Sequence, residues 1–424
     1  MKARAGERPA GAGFLRRTFA SLGVRNFRLF ILGQLLSTTG TWMQGVAAPL
    51  LVLSLTGSGT ALGIDTALQF LPILLFGAWG GLIADRFDNR KVQISTQIGY
   101  AVVAFALWAI VVTGVVEVWM VYALSFLSGL VTAVDMPTRQ SFYLEMVGAD
   151  SLTNAMSLNT ATFTGSRILG AAIAGAMIAG FGYGPVFLVN GLSYLAVVAA
   201  LVAMRTHELH PREHVPAQKG LVREGIRYVW TTPALRLPML TMLVVFLFAF
   251  NFIVFVPLLV TRTFDGSPAA LGGLLSLWGV GSLAGALFMA SRSTRPNPRR
   301  LAWLALALGG LSILLGLAPA LWVAGLVVIP LGAAFISFAI TGNSTLQLAA
   351  SGQMRGRVMA LYSVVFLGST PIGGPIAGWV GQHLGAPFGL VASGMIAALA
   401  GVVALVALRS RAPAAPDGAG AEPD

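Results

Sequence analysis

Long apolar runs separated by short polar breaks fill most of this chain. A helix needs about 20 mostly apolar residues to cross a bilayer, and the breaks leave twelve runs of suitable length. The pattern therefore predicts an all-α membrane protein with twelve transmembrane helices. The predicted spans lie near residues 27–54, 60–83, 92–115, 118–137, 153–179, 184–204, 237–261, 269–290, 301–317, 321–345, 357–380 and 386–408.

The longest polar stretch inside the chain, residues 205–236, separates six predicted spans from six more. We expect six-helix halves at 27–204 and 237–408, joined by a central loop at 205–236. A basic segment at 1–26 and a tail at 409–424 flank them. The segment up to about Gly13 and the tail after about Arg411 are rich in Ala, Gly and Pro, so we expect both to be disordered.

The two halves share an internal repeat at an offset of 203 residues. This offset aligns the fifth predicted span with the eleventh, and the aligned pairs are Met156 with Met359, Gly165 with Gly368, Gly170 with Gly373, and Gly175 with Gly378. Two Gly-rich helices can match by chance, but one register holds across a whole span. We interpret the match as a duplication, which predicts two pseudo-symmetric halves.

Composition agrees with a membrane protein. Only 10% of the 424 residues are charged and 56% are hydrophobic, whereas a soluble domain carries about 25% charged residues. The chain has no cysteine, which excludes disulfides, thiolate metal sites and cysteine nucleophiles.

The basic residues lie almost entirely on one side of the predicted spans. All but two of the 27 Lys and Arg residues fall in the loops that share a side with the N-terminus, and the exceptions are Arg167 and Arg262. Cytoplasmic loops carry the excess of basic residues, so we expect both termini in the cytoplasm. The net charge of +12 then belongs to a membrane surface, and we expect no nucleic-acid partner.

Ionisable residues inside spans are costly and are candidates for function. Arg167 lies in the middle of the fifth span, where it could bind an anionic group, neutralise an acid or form a structural ion pair. Asn159, Phe163 and Arg167 recur every four residues and share a helix face. We expect that face to line a central cavity.

Two acidic residues near the spans are candidates for proton coupling. Asp65 lies near the start of the second span, where it could instead cap the helix. Asp135 lies near the end of the fourth span and could form only a local pair with Arg139. Other polar and aromatic side chains in the spans would suit an amphipathic organic substrate, among them Asn251, Trp42, Phe163 and Trp278.

His207, His210 and His214 lie with Glu208 and Glu213 in the central loop. Their spacing matches no tight ligand pattern. We expect a solvated loop and no metal.

A motif follows the second span: Gly81-Leu-Ile-Ala-Asp85-Arg86-Phe-Asp88-Asn89-Arg90-Lys91. It resembles the loop signature of the major facilitator superfamily, with Asp88 where Gly is usual. This departure, Asp135-Met-Pro-Thr-Arg139 and Arg355-Gly-Arg357 resemble the branch that contains enterobactin exporters and macrolide-efflux proteins.

The motif also has a physical interpretation. Gly81 would let two helices approach, and Asp85 could face the start of the eleventh span, as the resemblance implies. Arg86, Arg90 and Lys91 could pair with acids of adjacent loops. Together they would form a latch that closes the cytoplasmic side, although basic residues alone could simply fix the topology.

Many antiporters of this superfamily carry a Gly-rich motif with a Gly-Pro pair in the fifth span. Here Gly165, Gly170 and Gly175 occupy that span. The Gly-Pro pair lies in the eleventh span, as Gly374 and Pro375, and Gly378 follows it. Helix packing alone also explains such glycines.

The resemblance implies a secondary exporter of drugs or siderophore-like compounds in a bacterial inner membrane. We expect a monomer driven by the proton-motive force, with a small-molecule substrate and no cofactor. An importer or facilitator on the same fold is the alternative. An intramembrane enzyme or a non-transporting receptor is a further one, but the chain has no nucleophile elbow, zinc-protease motif or phosphate loop.

Overall fold

The computed structural model describes residues 20–210, 221–249, 251–291 and 297–409. These residues form helices and turns, and this described part contains no strand. Ten helices in it are long and apolar enough to cross a membrane by length and composition. Large apolar side chains such as Trp79, Phe181 and Trp322 are exposed on the outer surface, as a surface facing lipid requires. The all-α membrane class is confirmed.

The first group of helices covers residues 25–202. Its members are α1 (Arg25–Thr56), α2 (Gly59–Arg86), α3 (Asn89–Val112), α4 (Val118–Phe181) and α5 (Gly184–Val202). Short turns join them because local signals stop each helix. Ser58 caps α2 by accepting a hydrogen bond from the Ala61 amide, and Asp88 caps α3 through the Lys91 amide.

Helix α4 contains two predicted spans in one 64-residue element. The element breaks at Gly148, where φ is 69° and ψ is 173°, a conformation that glycine adopts at little cost. We refer to residues 118–147 as the first arm and to residues 149–181 as the second arm. The predicted spans 118–137 and 153–179 are therefore shorter than the helices that contain them.

The second group covers residues 233–409. Its members are α7 (Pro233–Val244), α8 (Phe252–Leu258), α9 (Pro268–Ser291), α10 (Pro298–Gly316), α11 (Leu321–Ala349), α12 (Arg355–Gly368), α13 (Thr370–His383) and α14 (Ala386–Arg409). Wider π-helical turns at Val245–Ala249 and Leu259–Thr263 interrupt the predicted span 237–261. The predicted span 357–380 is divided between α12 and α13 at Ser369.

The predicted central loop contains an amphipathic helix, α6 (Leu221–Thr231). Glu224 of α6 pairs with Arg357 at the start of α12, and the Tyr228 hydroxyl accepts a hydrogen bond from the Ser351 amide at 3.2 Å. The loop is thus partly ordered against the second group. His214 and Glu213 lie outside the described residues, as do most of the two terminal segments.

The two groups pack mainly within themselves and meet along two helix pairs, α2 with α13 and the second arm of α4 with α9. We call the end of the bundle at the α2–α3 turn the basic end. The opposite end, where α2 and α9 begin, is called the neutral end. Both helix pairs cross nearest the neutral end, as the glycine contacts below show.

Candidate functional site

The first arm of α4 carries a buried charge with a full set of partners. Asp135 is 0% exposed and forms an ion pair of 2.6 Å with Arg139, one turn later. Its other carboxylate oxygen, Oδ1, accepts hydrogen bonds from the Thr96 hydroxyl at 2.8 Å and from the Gln93 and Gln97 amides at 3.1 Å. The predicted local pair is confirmed, and three donors from α3 surround it.

Arg139 extends this network to α1, because its second terminal nitrogen donates to the Gln34 side chain at 3.2 Å. The same arm also reaches across the Gly148 break. The Tyr143 hydroxyl donates to the Asn159 side chain at 2.5 Å. Asn159 therefore bonds the first arm, and the cavity-facing helix face that it shares with Phe163 and Arg167 stays a prediction.

The second arm carries a charge with no ion-pair partner. The Arg167 guanidinium lies 5.7 Å from the centroid of Trp42 on α1 and 5.3 Å from that of Trp278 on α9. No ion pair within the described ranges includes Arg167. The predicted alternative of a structural ion pair is therefore not what this structure contains. Phe163 is 48% exposed and packs edge-on against Trp42, with ring centroids 5.4 Å apart.

Asp65 lies inside α2 and is only 5% exposed. Its carboxylate accepts one hydrogen bond, from the Ser125 hydroxyl of the first α4 arm at 2.6 Å. The alternative of a helix cap is wrong, because Ser58 caps α2. Asp65 is instead a carboxyl buried between two helices.

Asn251 lies between two wider turns of the second group. Its side-chain amide donates to the Leu247 carbonyl at 2.8 Å, one turn earlier. Asn251 thus satisfies the backbone of its own interrupted helix, and it also packs beneath Gly373 of α13.

The motif after α2 only partly matches the predicted latch. A methyl group on Gly81 would meet nothing within 4 Å, and Gly80 makes the close approach, to the Ala133 carbonyl. Arg90 pairs with no acid in the described part; it donates to the Leu201 and Val202 carbonyls at the end of α5. Gly81 and Arg90 therefore do not have the roles expected of them.

The remaining motif residues lie at the basic end. Asp85 lies in the last turn of α2, and its contact with the start of α12 stays a prediction. Arg86 and Lys91 line a surface cavity of about 720 Å³ between α2, α3 and the first arm of α4.

Close glycine contacts form both seams between the two groups. A methyl group on Gly175 would lie 2.8 Å from the Pro268 carbonyl oxygen of α9. One on Gly378 of α13 would collide with the Gly59 carbonyl of α2, and Gly374 lies against the Gly63 carbonyl with Pro375 beside it. Gly170 packs on α1, whereas Gly165 has open space, so packing does not explain that glycine.

Two hydrogen bonds join the groups at the neutral end. The Gly59 amide donates to the Gln382 side chain at 2.7 Å, and the Arg262 guanidinium donates to the Gly57 carbonyl. Near the middle of the seam between the second arm of α4 and α9, the Ser276 hydroxyl donates to the Ile168 carbonyl at 2.8 Å.

Sequence reasoning missed the three polar partners of Asp135 on α3. Gln93, Thr96 and Gln97 follow the helical spacing of one face, which is the signal that could have found them.

Known proteins provide an independent comparison. A sequence profile of the transmembrane secretion effector family matches residues 16–420. The uncharacterized MFS-type (major facilitator superfamily) transporter YfiS of Bacillus subtilis is 26% identical over 373 residues, which cover 83% of this chain and 86% of that protein.

Two relatives have names that describe their cargo. The multidrug efflux pump Tap of Mycobacterium tuberculosis is 27% identical over 395 residues, 87% of this chain and 92% of that protein. The staphyloferrin A transporter of Staphylococcus aureus is 23% identical over 264 residues, 62% of this chain and 66% of that protein.

Among solved structures, a bacterial homologue of the human lysosomal transporter Spinster, inward-facing and unoccupied, shares the fold. The TM-score is 0.72 at 16% identity, over 96% of this chain and 100% of that one.

Proposed function

Because this chain belongs to the transmembrane secretion effector family of major facilitator superfamily transporters, we propose that it is a secondary active exporter. It moves small organic molecules out of the cytoplasm by alternating access. The names of its relatives, a multidrug efflux pump and a siderophore transporter, support drug-like or siderophore-like cargo.

The observation that carries this proposal is the pair of glycine seams between two groups of helices that pack mainly within themselves. Where Gly175 meets Pro268 and Gly378 meets Gly59, backbones touch without intervening side chains. Small residues let helices approach closely, and a seam formed largely by backbone contacts, with few side-chain hydrogen bonds across it, lets one group rock against the other. Such rocking about a central site is how transporters with repeated halves alternate access.

The arrangement of twelve spans follows from this proposal. The two arms of α4 count as two spans, α7 with α8 counts as one, and α12 with α13 counts as one. The halves are then residues 27–204 and 237–408, related by the 203-residue repeat.

The basic end faces the cytoplasm, because basic residues are concentrated in cytoplasmic loops. Both termini then lie inside the cell. The seams and the Gly59–Gln382 hydrogen bond close the neutral end, so the structure corresponds to a state closed to the outside. Export requires these contacts to open.

A proton-coupling carboxyl must be able to lose its charge within the membrane. Asp65 is buried with a single neutral donor, and no ion pair in the described part of the chain includes it. Protonating Asp135 would leave the half-buried Arg139 cation without its ion-pair partner, which is costly. We therefore assign proton coupling to Asp65 rather than to Asp135.

Dye efflux from energised cells tests the proposal. Cells would express the wild type, Asp65→Asn or the control Asp265→Asn, an acid exposed in the turn before α9, each with and without an uncoupler. We expect wild-type and Asp265→Asn cells to expel dye until the uncoupler is added, and Asp65→Asn cells to lose this export.

Other outcomes would overturn parts of the proposal. Efflux that ignores the uncoupler would indicate a facilitator or another driving ion. Dye accumulation above that of cells that do not express the protein would indicate import.

A further inference from the structure

Three hydrogen-bond donors lie buried around Arg167 without any acceptor. They are Nε of Arg167 and the indole Nε1 atoms of Trp42 and Trp278, each buried from solvent and without a partner in the described part of the structure. Arginine and tryptophan side chains donate hydrogen bonds but do not accept them. The three groups therefore cannot satisfy one another, and an acceptor must come from outside the cluster.

The cluster also carries a positive charge that no acidic side chain among the described residues neutralises. Arg167 contacts the two indole rings, and the attraction between a cation and a ring offsets only part of the cost of burying the charge. A water molecule could accept a hydrogen bond here, but it would leave the charge unpaired. An anion supplies both the acceptor atoms and the compensating charge.

The position of the cluster suits a transported ligand. Trp42 lies about 25 Å along α1 from its start and Trp278 about 15 Å along α9 from its start, at a rise of 1.5 Å per residue. Both tryptophans are therefore near mid-depth in their helices. Trp42 and Arg167 belong to the first group and Trp278 to the second, so a ligand held here contacts both moving groups.

The surroundings indicate what the rest of the ligand is like. The half-exposed ring of Phe163 lies edge-on to Trp42, while Phe252 and Phe335 pack on Trp278 with ring centroids 5.7 and 6.0 Å away. Ligand pockets commonly combine apolar and aromatic walls with a few polar groups that fix orientation. An organic body with an aromatic or other flat apolar surface fits beside the cation.

We propose that Arg167, with the indole N–H groups of Trp42 and Trp278, is the subsite that binds the anionic group of an organic acid carried by this protein. A carboxylate is the group best matched to a guanidinium, because two parallel hydrogen bonds can form. The inference rests on the proposed function, since it names the class of molecule that the exporter carries.

Binding to the purified full-length protein in detergent tests this without requiring transport. The probes are benzoate, 2-naphthoate and fluorescein, each compared with its methyl ester and with inorganic phosphate, by equilibrium dialysis. The variants are Arg167→Met, Arg167→Lys and Trp278→Phe, with Arg299→Met as the control for removing an exposed basic charge at the start of α10. Monodisperse elution on size-exclusion chromatography checks that each variant folds.

We expect the wild type to bind at least one aromatic acid about tenfold or more tightly than its ester, as a charged hydrogen bond provides. Arg167→Met should remove the preference, Arg167→Lys should retain part of it, and Arg299→Met should leave it intact. Trp278→Phe keeps an aromatic ring but loses one donor, so it should weaken acid binding while changing ester binding little.

Three results from the direct binding of acids and esters would overturn the inference. They are equal binding of acids and esters by the wild type, no binding of any acid, and an acid preference that survives Arg167→Met. Displacement of the acids by phosphate as effective as by naphthoate would also contradict the organic-acid assignment. A wild type that exports a neutral dye without acid preference would refute this inference alone, whereas acid binding without export would refute only the proposed function.

Discussion

The two arms of α4 each carry a charged residue within the helix bundle, but only the charge in the first arm has an ion-pair partner among the described residues. In the first arm, Asp135 and Arg139 neutralise each other, and α3 supplies three further hydrogen bonds. In the second arm, Arg167 has two ring faces and no hydrogen bond among the described residues. A single break at Gly148 separates the two arrangements.

This difference indicates which charged residues within a membrane are structural and which are functional. A charge with a full set of partners links the helices that carry them. Removing one partner leaves the other charge unpaired in a medium of low dielectric constant, which destabilises the fold. A charge that its neighbours do not neutralise has a desolvation cost that ring contacts offset only in part, so its presence needs another reason. We infer that the first arm holds the first group together and that the second arm binds ligand and contacts the moving partner group.

The strongest test of the first arm is Asp135→Ala. It leaves the half-buried Arg139 cation without its ion pair and the Gln97 amide without its acceptor, so we expect a loss of about 3 kcal/mol of folding stability. The measurement is the apparent melting temperature of the purified protein in detergent.

The paired variant Asp135→Asn with Arg139→Gln sharpens this test. It removes both charges together, and we expect it to recover most of the lost melting temperature, because no unpaired charge remains. If Asp135→Ala has the same melting temperature as the wild type, Asp135 does not have the structural role described here.

Two glycines of the second arm test the seam. A methyl group in Gly175→Ala would press on the Pro268 backbone, so we expect a loss of about 1–3 kcal/mol together with reduced efflux. Gly165→Ala adds the same methyl group in open space, and the gain in helix propensity is up to about 1 kcal/mol. Melting temperature and efflux should both fall in Gly175→Ala, and the melting temperature should rise in Gly165→Ala. Equal losses in the two variants would argue against a close contact at the seam.

The smallest effect on stability is expected for Arg167→Met. No acid is left unpaired and a desolvated charge is removed, so the melting temperature should stay equal to that of the wild type or rise slightly. Export of an acidic substrate should nevertheless fall sharply. A melting loss as large as that of Asp135→Ala would show that Arg167 is a structural residue.

Most of the helices could be predicted because a bilayer leaves the backbone few alternatives to helix. The predicted span 92–115 corresponds to α3 (Asn89–Val112), and 386–408 corresponds to α14 (Ala386–Arg409). The central helix α6 was missed, although its apolar residues Ile226, Val229 and Trp230 follow helical spacing among charged ones.

The site was harder to predict, because its contacts depend on how helices are rotated and paired. Arg167 stands out in the sequence as a charge within a span, but its position between Trp42 and Trp278 requires three helices from two groups to meet. Likewise Gly80 and Gly81 differ by one residue, about 100° around a helix. Only the packing decides which of them faces the first arm of α4.

The central claim is that the two groups rock about seams that this structure holds closed at the neutral end. The chain lacks cysteine, so spin labels can be placed at chosen pairs. One pair, Leu55→Cys with Thr263→Cys, spans the groups at the neutral end, and another, Ser157→Cys with Gly352→Cys, spans them at the basic end. All four positions are exposed.

Pulsed electron–electron distance measurements in proteoliposomes, with and without a proton gradient and an acidic substrate, then follow both ends. We predict that the neutral-end distance lengthens under transport conditions while the basic-end distance shortens. Distances that stay fixed at both ends, under conditions in which the same samples export substrate, would contradict the rocking mechanism.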